Sequence, residues 1–72
     1  MSIVFRVHIV INGEPQQVLD GLTIAGLVDQ LRLKQRRIAV EVNREIIARE
    51  QYAARSLAEG DQVEIVHFVG GG

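Results

Sequence analysis

Residues 22–33 read Leu22-Thr23-Ile24-Ala25-Gly26-Leu27-Val28-Asp29-Gln30-Leu31-Arg32-Leu33, and this stretch decides the class of fold. The Thr23 hydroxyl is placed to accept a hydrogen bond from a backbone N–H that the first helical turn leaves unpaired. Ile24, Leu27, Val28 and Leu31 then recur at the i, i+3, i+4, i+7 spacing of one apolar stripe. Leu22 before the cap and Leu27 within the helix fit a hydrophobic staple. The spacing therefore predicts a helix running to about Leu33. Gly26 in its interior costs about 1 kcal/mol relative to alanine, which the stripe outweighs. A helix with a single stripe covers one layer only.

The flanking segments supply that layer. From Ile3 to Asn12 the chain is β-branched, with Ile3, Phe5, Val7, Ile9 and Ile11 on one parity and Val4, Arg6, His8 and Val10 on the other. Asn12-Gly13-Glu14-Pro15 carries turn chemistry, and a short strand from Gln16 to Leu19 should return antiparallel before Asp20-Gly21 breaks it. Beyond the helix, Ile38, Val40 and Val42 alternate with Ala39, Glu41 and Asn43 as a third strand. Ile46-Ile47 reads as a short fourth strand after a turn at Asn43 to Glu45. Ala48 to Arg55 reads as a helical turn around Tyr52, Glu59-Gly60-Asp61 as a turn, and Gln62 to Val69 as the last strand. This order predicts an α+β fold in which one helix lies across one face of a small sheet of four to five strands. If the long first and last strands are central, the opposite face carries Arg6, His8, Val10, Glu64, Val66 and Phe68. Val66 and Phe68 then face water.

At 72 residues and with no cysteine, the chain has room for one core, which must hold by packing alone because no disulfide or thiolate metal site can form. We expect one domain over residues 1–69 and a flexible glycine tail at residues 70–72. A formal net charge of −1 gives no whole-molecule field to gather nucleic acid or an anionic membrane, so neither partner is expected. No apolar run approaches the roughly 18 residues of a membrane span, and the first residues show no leader pattern, so the expected location is the cytoplasm.

Catalytic constellations are sparse. The sequence holds two histidines, His8 and His67, and its serines are Ser2 and Ser56. A serine triad would need a pocket that so small a domain does not provide. His8 and His67 would begin a metal site if their strands were neighbours. The plainer reading is two partly exposed strand residues, and no metal site is expected. Arg32, Lys34, Arg36 and Arg37 form a basic cluster that suits phosphate or an acidic partner. Offset of the helix dipole is its plainer explanation. Phe5, Tyr52 and Phe68 are the aromatic residues, too few for a stacking platform.

The end of the sequence is different in kind. Three glycines at three named positions arise by chance about 3 times in 10,000 at average usage, so Gly70-Gly71-Gly72 calls for a reason. Following a firm strand, such a tail is a thin arm on a rigid body, and four residues from Val69 to Gly72 extend about 13 Å. The arm suits a narrow channel. Its reactive group is the Gly72 carboxylate, whose carbonyl carbon has no neighbouring Cβ to shield it. A carboxylate resists nucleophiles because its charge repels them and oxide does not leave. Joining it to a nucleotide phosphate removes both obstacles. The chain then reads as a co-substrate that another enzyme activates with ATP.

These residues resemble a family. Val42-Asn43-Arg44-Glu45-Ile46-Ile47, Gly60-Asp61 and Glu64-Ile65-Val66 running into the terminal glycines are similar to the ThiS-type sulfur carriers of thiamine biosynthesis, and the likeness covers nearly the whole chain. The resemblance implies a β-grasp, ubiquitin-like fold. It also implies a carrier that is not itself an enzyme and binds no cofactor, ATP and Mg being used by its partner. An E1-like adenylyltransferase would form an acyl-adenylate on Gly72, with Gly71 as its diglycine partner and Gly70 extending the arm. A sulfur donor such as a cysteine desulfurase would convert the adenylate to a thiocarboxylate, and thiazole synthase would take the sulfur. Val66, Phe68 and Val69 would form the partner-binding face. Related molybdopterin carriers commonly place prolines before the glycines. Here Phe68-Val69 stands there and Pro15 is the lone proline, which favours the thiazole branch. The alternatives are a carrier for molybdopterin or another sulfur metabolite, and a ubiquitin-like protein modifier.

Overall fold

The structure, a computed structural model, describes residues 5–68. Its elements are β1 (Arg6–Ile11), β2 (Glu14–Leu19), α1 (Ile24–Gln30), β3 (Ile38–Val42), β4 (Glu45–Ile46) and β5 (Gln62–His67), with 3₁₀ turns at Gln35–Arg37 and Arg49–Gln51. The strands form one five-stranded sheet in the order β2-β1-β5-β3-β4. β1 and β5 run parallel while every other neighbouring pair is antiparallel, so the sheet is mixed. The expected starting residues Ile3 and Val4, and the expected strand end Val69 with the 70–72 tail, lie outside the described residues.

Two hairpins show how the sequence sets the register. Asn12 and Gly13 have φ of 49° and 84°, and Asn43 and Arg44 have φ of 53° and 70°. Two consecutive positive φ values make the tight turn whose twist matches that of the flanking strands. The first turn is thus shorter than the sequence suggested. Glu14 and Pro15 belong to β2, with Pro15 opposite Val10. β2 is the edge of the sheet, where a residue lacking a backbone N–H is tolerated.

The start of α1 is satisfied completely. Ile24 N–H donates to the Arg55 carbonyl at 2.9 Å, Ala25 N–H to the Tyr52 carbonyl at 2.9 Å, and Gly26 N–H to the Thr23 hydroxyl at 3.1 Å. The 3₁₀ turn around Tyr52 thereby acts as a second cap. At the other end the helix stops at Gln30, short of the expected Leu33. Arg32 turns left-handed at φ 59°, Arg32 N–H reaches the Asp29 carbonyl at 2.9 Å, and Leu33 N–H reaches the Val28 carbonyl at 3.0 Å. This is a Schellman closure, with Leu33 folding back onto the core. Leu31, read as the fourth member of the stripe, is 43% exposed as a result. Gly26 has a packing reason: a Cβ built there would lie 2.7 Å from Leu22 Cδ1, so the glycine leaves room for the residue before the cap.

Ile24, Leu27 and Val28 pack on the sheet face formed by Ile9, Val40 and Val63, and Tyr52 and Leu57 close the side. Parity holds across the sheet. Val7, Ile9 and Ile11 face the helix, while Arg6 and His8 are exposed on the other side.

Candidate functional site

β5 is the centre of the sheet, so the chain beyond it leaves from the most supported strand. On one side β3 pairs with it from Val42↔Val63 to Ile38↔His67. On the other, β1 pairs only at Val10↔Gln62 and Ile11↔Val63 before turning away. Asn12 replaces the missing neighbour. Its backbone N–H donates to the Val63 carbonyl at 2.9 Å, its side-chain oxygen accepts from Ile65 N–H at 2.8 Å, and its Nδ2 donates to the Ile65 carbonyl at 3.3 Å. Finally, Phe68 N–H donates to the Arg37 carbonyl at 2.7 Å. The backbone is therefore pinned as far as the last described residue.

Around this root lie two surfaces of different chemistry. On the open face of the sheet, Val66 and Phe68 are 53% and 55% exposed, as strand parity implied. Ala39 sits opposite Val66, and Glu41 sits opposite both Glu64 and Ile46. Ile46, 76% exposed, joins this face. The sequence placed the short fourth strand at Ile46-Ile47, whereas β4 is Glu45–Ile46, and Ile47 is buried while Ile46 is not. The alternation that separates them was present but spans too few residues to stand out. On the flank, Arg32, Leu33, Lys34, Arg37 and His67 line an open cleft of about 380 Å³.

The two histidines are not brought together. His8 lies two positions before Val10 and His67 five after Gln62 on parallel strands, which separates them by roughly 23 Å along the sheet. His8 instead joins Gln17 on β2 and Glu59 in the turn before β5, with Nδ1 3.2 Å from Glu59 Oε2. The backbone N–H of His8, which donates to Glu59 Oε1 at 2.9 Å, is the main cause holding the Glu59 carboxyl below its ordinary value. Among the described residues, no three His, Cys, Asp or Glu side chains gather as metal ligands. Asp61, buried at 6% exposure, accepts from Asn43 Nδ2 at 3.0 Å and from Ala58 N–H at 2.9 Å. This brace ties the β3–β4 turn to the start of β5. The functional residues read from the glycine tail, Gly70, Gly71 and Gly72, and the adjoining Val69, lie outside the described residues.

The ThiS family model matches residues 9–72. The chain belongs to the ThiS family. A sulfur carrier protein ThiS from Bacillus subtilis is 46% identical over 53 residues, covering 74% of this chain and 80% of that protein. A solved ThiS thiamine biosynthesis protein from Geobacter metallireducens superposes with a TM-score of 0.77 at 33% identity, covering 92% of this chain and all of that one. The fold is thus the β-grasp of ThiS proteins. A thiazole synthase from Magnetococcus marinus is 44% identical over 67 residues, which cover 93% of this chain. The chain spans about one fifth of that protein's length, and of the matching thiazole synthase from Paramagnetospirillum magneticum.

Proposed function

We propose that this chain carries sulfur for thiazole formation in thiamine biosynthesis, as a thiocarboxylate on Gly72. The observation that carries the reading is the ThiS match running through Gly72, together with a β5 strand held by Asn12 as far as Ile65 on one side and by β3 as far as His67 on the other. The Gly72 carboxylate attacks the α-phosphorus of MgATP in an E1-like adenylyltransferase, forming the acyl-adenylate and releasing pyrophosphate. A persulfide from a donor such as a cysteine desulfurase displaces AMP, and a thiol then splits the S–S bond to leave the thiocarboxylate. Thiazole synthase, whose name two relatives carry, takes the sulfur. ATP and Mg belong to the partner, and the chain acts in the cytoplasm as a co-substrate. Gly71 and Gly70 keep the arm free of side chains so that it fits a narrow channel.

Val66 and Phe68, with Val69 beyond them, form the docking face for these partners. Exposed apolar side chains on the central strand, directly before the arm, are where a channel mouth would rest. The reading is tested by incubating the chain with adenylyltransferase, MgATP and a sulfur donor and weighing the intact product. A mass gain equal to replacing one oxygen with sulfur, localised to Gly72, is expected. An unchanged mass where a ThiS carrier is converted in parallel refutes it.

A further inference from the structure

Half of the eight Lys and Arg residues, namely Arg32, Lys34, Arg36 and Arg37, fall within six consecutive positions. The helix dipole does not account for them, because α1 ends at Gln30 with no basic residue in its last turn. Ion pairing does not account for them either. Among the described residues the one salt bridge joins His8 to Glu59, and none of the four makes a side-chain hydrogen bond. All four are exposed. Arg32 in addition holds a left-handed φ of 59°, a conformation that costs an L-residue about 1–2 kcal/mol. The fold sets this unpaired charge at the root of the arm, where Phe68 N–H is bonded to the Arg37 carbonyl and His67 completes the cleft.

We propose that this basic collar is a docking patch for an acidic protein surface, a rim of Asp and Glu carboxylates around the channel by which the adenylyltransferase admits residues 69–72. The inference rests on the reading of Gly72 as the activated residue. Reach decides between a protein rim and the nucleotide phosphates. With the arm extended, Gly72 lies up to about 13 Å beyond Phe68, so the collar stays at the channel mouth while the triphosphate sits at the arm's tip. Nucleic acid fits less well, since no Phe, Tyr or Trp lines the cleft and the whole chain carries a net charge of −1. Exposed charges of this kind act on encounter and register, and salt screens them over about 8 Å at physiological ionic strength. A thin arm that must find a narrow opening gains most from such steering.

The test is ATP–pyrophosphate exchange by the adenylyltransferase as the concentration of the full chain is varied, at low and at physiological salt. Replacing the collar as Arg32→Gln, Lys34→Gln and Arg37→Gln together is expected to raise the KM for the chain about tenfold at low salt and to flatten its salt dependence. The kcat is expected to stay within about twofold, because the charges steer docking and do not touch the reacting atoms. The charge-preserving pair Arg32→Lys and Arg37→Lys should behave as the parent. An unchanged KM, a salt-independent parent KM, or a fall in kcat alone overturns the proposal. If the parent chain supports no exchange, the activation reading fails on its own. Calorimetric titration of chain into enzyme then decides the collar: salt-sensitive binding lost in the triple variant upholds it, and salt-insensitive or absent binding overturns it.

Discussion

Asn12 performs two tasks that a single substitution would confuse. Its φ of 49° opens the β1–β2 turn, and its amide holds both backbone groups of Ile65 in β5. Asn12→Gly keeps the turn and removes the amide, so it should cost about 1 kcal/mol in urea unfolding and speed amide exchange at Ile65. Asn12→Ala should lose about a further 0.5–1 kcal/mol, the left-handed penalty less the extra chain entropy that glycine carries. The turn was legible in Asn12-Gly13, while the bond to Ile65 was not, because nothing local announces that β1 ends where β5 still needs a neighbour. Glu59 makes a second residue-scale case. Its carboxyl is held below its ordinary 4.5, chiefly by the backbone N–H of His8. A depressed folded value means that the stability it contributes is present above the unfolded pKa and is lost as pH falls through the folded one. Glu59→Gln should therefore flatten the acid limb of the stability curve below about pH 4.5 and leave the curve above pH 6 parallel to the parent's. An unaltered acid limb would show that the bond to His8 is not maintained in solution.

Among elements, α1 shows where pattern reading succeeds and where it stops. Thr23 and the stripe located the helix and its buried face, since a cap and a 3.6-residue period are both local signals. The end was misplaced because Leu31 and Leu33 prolong the apolar pattern past the point where the backbone reverses. No glycine marks that reversal; an arginine occupies the left-handed position. The arginine's cost makes a prediction. Arg32→Gly should stabilise the fold by about 0.5–1 kcal/mol, the left-handed penalty less the extra chain entropy of glycine, read as a raised Tm. If the collar acts as proposed, the same variant binds the adenylyltransferase more weakly, so stability and docking move in opposite directions. The strands were more legible than the helix end. Alternation separates faces one residue at a time, which is why Val66 and Phe68 were read as exposed before any neighbour was known. Pro15 was misread because its turn preference is local, whereas its place in β2 depends on that strand being an edge.

At the scale of the whole molecule, the two chemistries near the arm come from segments far apart in sequence. Phe68 and His67 close on Arg32 to Arg37 only because β5 runs beside β3, a pairing that no short window of sequence contains. The basic cluster itself was plain to read; its position at the root of the arm required the topology. The same topology separates folding from function. Among the described residues, the core and the residues packed against it lie between Val7 and Ile65. Removal of Gly72, or addition of one residue after it, is therefore expected to leave the urea midpoint unchanged. Either change should nevertheless abolish pyrophosphate release with the adenylyltransferase. On the proposed reading, the deletion would withdraw the carboxylate from the nucleotide by about 3.3–3.6 Å, and the extension would replace it with an amide. A displacement of this size is large against the near-attack separation of about 3–3.5 Å that such a reaction demands. Activation that persists in the extended chain would mean that the enzyme reaches another group, and Gly72 would lose its assigned role even if the fold and the docking face stood unchanged.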